Sequence, residues 1–218
     1  MVLAGLPVRG VLLDVDGTLL DSNDAHAESW VAVFKRHGLQ IPYERVRPLI
    51  GKGGDKLLPE LTGLDAESPR GKAVSDERRK LFLEDYLPGL EPTPGARKLV
   101  EALKARGARI VIATSSNEKE LGPLLAQARV ADLIERATSS DDGSSKPDPD
   151  IIRAALAEGS LAAGDAVMVG DTPYDIEAAA RSGVRTIALR CGGWWTDAAL
   201  AGAAAIYDDP AALASAIA

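Results

Sequence analysis

Apolar and polar positions along the chain follow two alternating rhythms. Short, β-branched-rich apolar runs recur at "VLLDV" (11–15), "RIVIAT" (109–114), "DLIERA" (132–137), "AVMVGD" (166–171) and "RTIALR" (185–190). They are bounded by Gly, Asp or Ser, as expected of strands buried on both faces of a parallel sheet. Between them lie amphipathic stretches, "GARKLVEALKARG" (95–107), "DIIRAALAEG" (150–159) and "DIEAAARSG" (175–183), each ending in a glycine that stops a helix. Strand–helix alternation of this kind predicts an α/β fold with a doubly wound, Rossmann-like parallel sheet.

One interval breaks the rhythm. From Leu19 to Leu87 there is no strand pattern, only helical ones such as "AHAESWVAVFKRHG" and "SDERRKLFLEDYL". That is too long for an ordinary connection, so it reads as an inserted helical subdomain at 19–87, with residues 1–18 and 88–218 forming the sheet domain. The proline-bearing "LPGLEPTPG" (87–95) carries the chain back, and the Ala-rich tail reads as helix.

Composition narrows the function classes. Lys plus Arg total 25 against 32 for Asp plus Glu, a net charge of −7, which argues against a nucleic-acid partner. The single cysteine, Cys191, cannot form an intrachain disulfide and fits a reducing compartment. The N-terminal apolar run is too short for a signal peptide, and no stretch reaches the length of a transmembrane helix. The expectation is a cytoplasmic protein with no membrane partner.

The polar groups that stand out fall at the carboxyl ends of the predicted strands. Asp14 and Asp16 follow the first, Thr114 and Ser115 the second, and Asp171 and Asp175 follow "VMVG"; Lys146 lies in the loop "SSDDGSSKPDPD". In an open α/β sheet the crevice beyond these ends binds ligands. Asp14 and Asp16, two apart on one strand, would point to one face as like charges. Converging carboxylates repel unless a cation neutralises them, and hard oxygen ligands suit Mg²⁺. With Lys146 as a further positive charge and Thr114 as a hydroxyl donor, the set is arranged for phosphoryl transfer, one carboxylate serving as nucleophile. The plain alternatives are an Asp-Gly turn, a helix N-terminal charge at Asp175 and a solvated surface lysine at Lys146.

"DVDGT", "ATSS", "SKPDPD" and "GDTPYD", in this order, resemble the four motifs of the haloacid dehalogenase superfamily. The helical insert resembles the cap of its phosphoglycolate phosphatase and β-phosphoglucomutase branch. The resemblance implies that Asp14 is the nucleophile and a Mg²⁺ ligand. Asp16 would protonate the leaving group, activate water, and bind the metal through its carbonyl. Thr114 and Lys146 would hold the phosphoryl group, Asp171 would ligate Mg²⁺, and Asp175 would support the metal. Ser115, His26, Gly51, Lys52 and Lys56 are candidate substrate contacts, the two lysines for a second anionic group. The implied activity is hydrolysis of a small phosphorylated metabolite by a monomer or weak homodimer. A phosphosugar mutase and a non-enzymatic phospho-acceptor module are the alternatives. Dehalogenation is disfavoured, because departing halide needs no acid at Asp16.

Overall fold

The computed structural model describes residues 1–217. Among these, strands β3 (Gly10–Leu13), β4 (Arg109–Ala113), β5 (Ala137–Thr138), β6 (Ala166–Gly170), β7 (Arg185–Leu189) and β8 (Ala205–Tyr207) form a six-stranded sheet in the order β5-β4-β3-β6-β7-β8. Every pairing in it is parallel. Two short strands, β1 (Val2–Leu3) and β2 (Leu6–Pro7), pair as a separate antiparallel hairpin. The two-residue alternation of strands sorts their side chains between two cores. Val11 and Leu13 join Ile110, Ile112, Val167 and Val169 on one face. Leu12 joins Val111, Ala113 and Met168 on the other. Helices on both faces cover these cores: α5 (Ala96–Ala105), α6 (Glu118–Gln127), α7 (Asp150–Glu158), α8 (Pro173–Arg181) and α9 (Pro210–Ser215). The chain leaves β3 for β4 on one side, while β6 lies on the other, so the crevice at this switch point collects the residues following all three strands.

Two predicted elements differ. The run 132–137 contributes only Ala137–Thr138 to the sheet, because residues 131–133 form a 3-10 turn ahead of an edge strand. The Ala-rich tail is part strand: β8 pairs with β7 before α9 begins. A three-residue edge strand, half-buried throughout, leaves no alternating pattern in an alanine run.

The stretch expected as an insert folds as a helical lobe: α1 (Asn23–Arg36), α2 (Tyr43–Val46), α3 (Gly54–Thr62) and α4 (Pro69–Leu81). It has its own apolar cluster of Ala27, Trp30, Val33, Phe34, Leu57, Leu58, Val74 and Leu81. Leu19, Leu20, Ala25, Phe82 and Leu87 instead join the core of the sheet. The two crossing segments are tied together where the Thr93 N–H donates to the Leu19 carbonyl at 3.1 Å. Among the described residues, no helix is long and apolar enough to cross a membrane.

Candidate active site

The residues after β3, β6 and β5 meet in one buried knot. Lys146 Nζ donates to Asp14 Oδ1 at 2.6 Å and to Asp175 Oδ1 at 2.6 Å. Asp14, Asp171 and Asp175 each bring a carboxylate oxygen within 4.8 Å of the others, and all three are buried. Burial raises the carboxyl of Asp14 well above the ordinary range; Asp175, Asp171 and Asp16 add to this, while Lys146 opposes it. Burial, then the charge of Asp175, pushes Asp171 up to about 7. For Lys146 burial works against the charge, but Asp14 and Asp175 outweigh it and hold the ammonium firmly protonated.

Fully ionised, three carboxylates against one ammonium would carry two uncompensated negative charges, and their donors are hard oxygens, so the knot fits a divalent cation. A second observation agrees. Asn23 Nδ2 donates to Asp171 Oδ2 at 2.8 Å and to the Gly192 carbonyl at 3.3 Å, while its Oδ1 is buried without a partner. Asp171 is also cradled by backbone: a Cβ at Gly192 would lie 1.8 Å from Asp171 Oδ2, and one at Gly17 would lie 2.4 Å from the same oxygen.

Asp16 is elsewhere. The regular ladder of β3 ends at Leu13, and the N–H groups of Thr18, Leu19 and Leu20 all turn back to the Val15 carbonyl. The regular alternation therefore does not extend to Asp16, whose carboxylate lies near enough to Asp14 to raise it and lines the same cavity, yet has partners of its own. Asp16 Oδ1 is bonded by Ser22 Oγ at 2.6 Å and by His26 Nε2 at 2.6 Å, and Oδ2 accepts from Ser116 Oγ at 2.8 Å. Burial would raise this carboxyl, but His26 and the bonds from Ser22 and Ser116 hold it well below the usual carboxylate range.

Three motif segments thus converge on a single knot at the switch point of a doubly wound sheet, and the fourth, after β4, reaches Asp16 through Ser116. Residues 11–189 match the haloacid dehalogenase-like hydrolase family. The chain belongs to the haloacid dehalogenase-like hydrolases. It is 30% identical over 214 residues to a phosphoglycolate phosphatase of Rhodospirillum rubrum, covering 94% of this chain and 89% of that protein. A phosphoglycolate phosphatase of Nitrosospira multiformis is 33% identical over 189 residues, covering 82% and 81%. The crystal structure of a hydrolase from Pseudomonas syringae superposes with a TM-score of 0.87 at 25% identity, over 94% of this chain and 96% of that one.

In this haloacid dehalogenase-like hydrolase the lobe closes over the knot around a cavity of about 450 Å³, lined by Asp14, Asp16, Thr114, Ser116, Lys52 and Arg79 among others. Thr114 Oγ1 accepts from the Ser116 N–H at 3.0 Å, so its own hydrogen is available to a ligand. Ser115 is spent on structure: its hydroxyl donates to the Gly51 carbonyl at 3.0 Å and accepts from the Lys146 N–H at 3.3 Å. Gly51 thereby joins lobe to sheet. His26 meets a core aspartate, Asp16. Both lysines are in ion pairs. Lys52 lines the cavity but is paired with Glu60 at 2.6 Å. Lys56 is paired with Asp148, outside the cavity lining. Lys52, just ahead of α3, pairs with a carboxylate on that helix, and Lys56, within α3, pairs across the lobe–sheet seam. Asp175 fills two roles at once, as partner of Lys146 and as third residue of α8, where it forms a capping box with Thr172. Asn23, Ser116, Arg78 and Glu120 were not legible as site residues. Their partners lie far away in sequence, although Arg78 does interrupt an apolar stripe between Val74 and Leu81.

Proposed function

We propose that the protein is a Mg²⁺-dependent phosphatase that hydrolyses a small phosphate monoester through an aspartyl-phosphate on Asp14. The observation that carries this reading is the buried Asp14–Lys146 pair, beside Asp171 and Asp175, with Asp14 itself lining the cavity. Lys146 holds Asp14 Oδ1, while Oδ2, which accepts only a long 3.5 Å bond from the Thr18 hydroxyl, is the oxygen that attacks phosphorus. The bond from phosphorus to the alcohol oxygen breaks, and that oxygen takes the proton of Asp16. Asp16, now a carboxylate, accepts a proton from the water that attacks the phosphorylated Asp14, which releases phosphate and restores the nucleophile. Hydrogen bonds from Ser22, His26 and Ser116 favour the carboxylate form needed in that second half. Thr114 and Lys146 bear on the transferring oxygens, where preorganised charge does most for such a reaction. Asp14, Asp171 and the Asp16 carbonyl would hold the ion, with Asp175 in support, and the ion supplies positive charge to a dianionic substrate.

Gly170 supports phosphatase over mutase. β-Phosphoglucomutases, to judge by the resemblance, tend to carry an acidic residue before the aspartate that stands here as Asp171. In this chain a Cβ at residue 170 would lie 2.4 Å from Asp175 Cγ, so no side chain fits. The relatives named above point to phosphoglycolate, and the cavity volume also admits a sugar phosphate. The lone, half-buried Cys191 supports action in the reducing cytoplasm.

The test is phosphate release from a panel of phosphorylated metabolites, with Mg²⁺ or EDTA present. Asp14→Asn, which keeps the shape but cannot attack, is expected to lose more than about 10³-fold in kcat while remaining folded. Near-parental turnover by that variant, or full activity in EDTA, overturns the reading.

A further inference from the structure

An unbroken chain of buried polar contacts runs from the sheet side of the crevice through the lobe and back to Asp16. Glu120 sits in the first turn of α6, fixed there by Asn117 Nδ2, which donates to its Oε2 at 2.7 Å. Its other oxygen accepts from Arg78 Nη1, on α4 of the lobe. Arg78 Nη2 meets His26 Nδ1 on α1, and His26 Nε2 meets Asp16 Oδ1. Arg78 and Glu120 are almost wholly enclosed, their side chains 9% and 3% exposed. The guanidinium lies over the rings of Trp30 at 5.3 Å and Phe82 at 5.0 Å, and His26 stacks on Phe82.

We infer that Glu120 is a positioning residue for Asp16, acting through Arg78 and His26. Arginine has donors only, so His26 Nδ1 must be the acceptor and the ring hydrogen must sit on Nε2, aimed at Asp16. Arg78 therefore sets which way His26 bonds. A guanidinium this enclosed stays put only with a carboxylate beside it, and Glu120 is that carboxylate. Remove its charge and Arg78, left with the Ser29 hydroxyl and the Trp30 and Phe82 rings, loses its carboxylate and is held less firmly; His26 then loses a fixed contact on Nδ1, and Asp16 a firmly held donor. Because Glu120 belongs to the sheet domain and Arg78 to the lobe, the chain is complete only while the lobe rests on the crevice. Ser22 and Ser116 hold Asp16 as well, and the seated lobe adds the fixed His26 donor to theirs.

The inference rests on the phosphatase reading for its kinetic test and on geometry alone for its spectroscopic one. Two variants serve: Glu120→Gln, which keeps shape, and the apolar pair Arg78→Met with Glu120→Leu, which removes the chain without leaving a buried charge. Each is assayed on an alkyl phosphate, whose alkoxide needs a proton to depart, and on p-nitrophenyl phosphate, whose phenolate does not. The alkyl kcat is expected to fall about tenfold or more relative to the aryl kcat. In an Asp16→Asn background Glu120→Gln is expected to have no additional effect on the alkyl kcat. The ¹⁵N shifts of His26, which need no turnover, are expected to report hydrogen on Nε2 in the parent and a tautomer mixture in both variants. Equal losses on the two substrates, additivity with Asp16→Asn, or unchanged His26 shifts overturn the inference. Activity surviving in Asp14→Asn would instead strike the phosphatase reading and leave the His26 shifts to decide this one.

Discussion

Asn23 opens helix α1, where an asparagine ordinarily serves as local capping chemistry. Here both amide hydrogens leave the helix, one to Asp171 and one to the Gly192 carbonyl. That makes it a support for a candidate metal ligand, and such supports typically carry a tenfold to hundredfold effect on affinity. Asn23→Ala is expected to weaken Mg²⁺ binding by about tenfold or more, followed by calorimetric titration. An unchanged midpoint would show that Asp171 holds its orientation without help. Asp14, Thr114 and Asp171 were legible in the sequence because each directly follows an apolar run, where the fold class places its ligands, and Lys146 because of the "SKPDPD" motif around it. Asn23 was not, since its partner is 148 residues away. Arg78 left a faint trace: it stands four residues after Val74 and three before Leu81, on the buried stripe of an otherwise polar helix.

The elements differ in how plainly they announce themselves. β3, β4, β6 and β7, buried along nearly their whole length, appear in the sequence within two residues of their true ends. Strands at the sheet edges, β5 and β8, are short and only partly covered, and pairing rather than composition decides them. Helix α8 shows one element serving fold and site together. Thr172 Oγ1 accepts the Asp175 N–H and donates to its Oδ2, so the helix cap also orients the partner of Lys146. Thr172→Val is expected to cost about 1–2 kcal/mol in urea unfolding and to lower kcat as well. Lost stability with undiminished kcat would separate the cap from the site.

At the scale of the whole molecule, the buried acids give stability a readable pH dependence. In the metal-free protein Asp14 and Asp171 keep protons that the unfolded chain releases above about pH 4. Their contribution is therefore fullest below that value and falls as pH rises toward about 7, where Asp171 titrates. Asp16 works in the opposite sense: its depressed carboxyl contributes above about pH 4, and that contribution is lost as pH falls further. Thermal melts in EDTA are expected to peak near about pH 5 and to decline toward pH 8. Mg²⁺ displaces the protons, so the rise in Tm it brings should be larger at pH 8 than at pH 5. Equal rises at both would mean that the ion does not bind among these carboxylates.

Helix α1 has a consequence for how such proteins can be rebuilt. Its first turn delivers Asn23 to one aspartate of the candidate site and His26 to another, three residues apart on one face, while the rest of the helix packs inside the lobe. The lobe is therefore no interchangeable accessory. A chimera joining this sheet to a foreign lobe at the chain crossing would lose both contacts even if each half folded. The workable splice lies after His26, with Arg78 carried over beside it, and specificity could then be exchanged without disturbing the chemistry beneath.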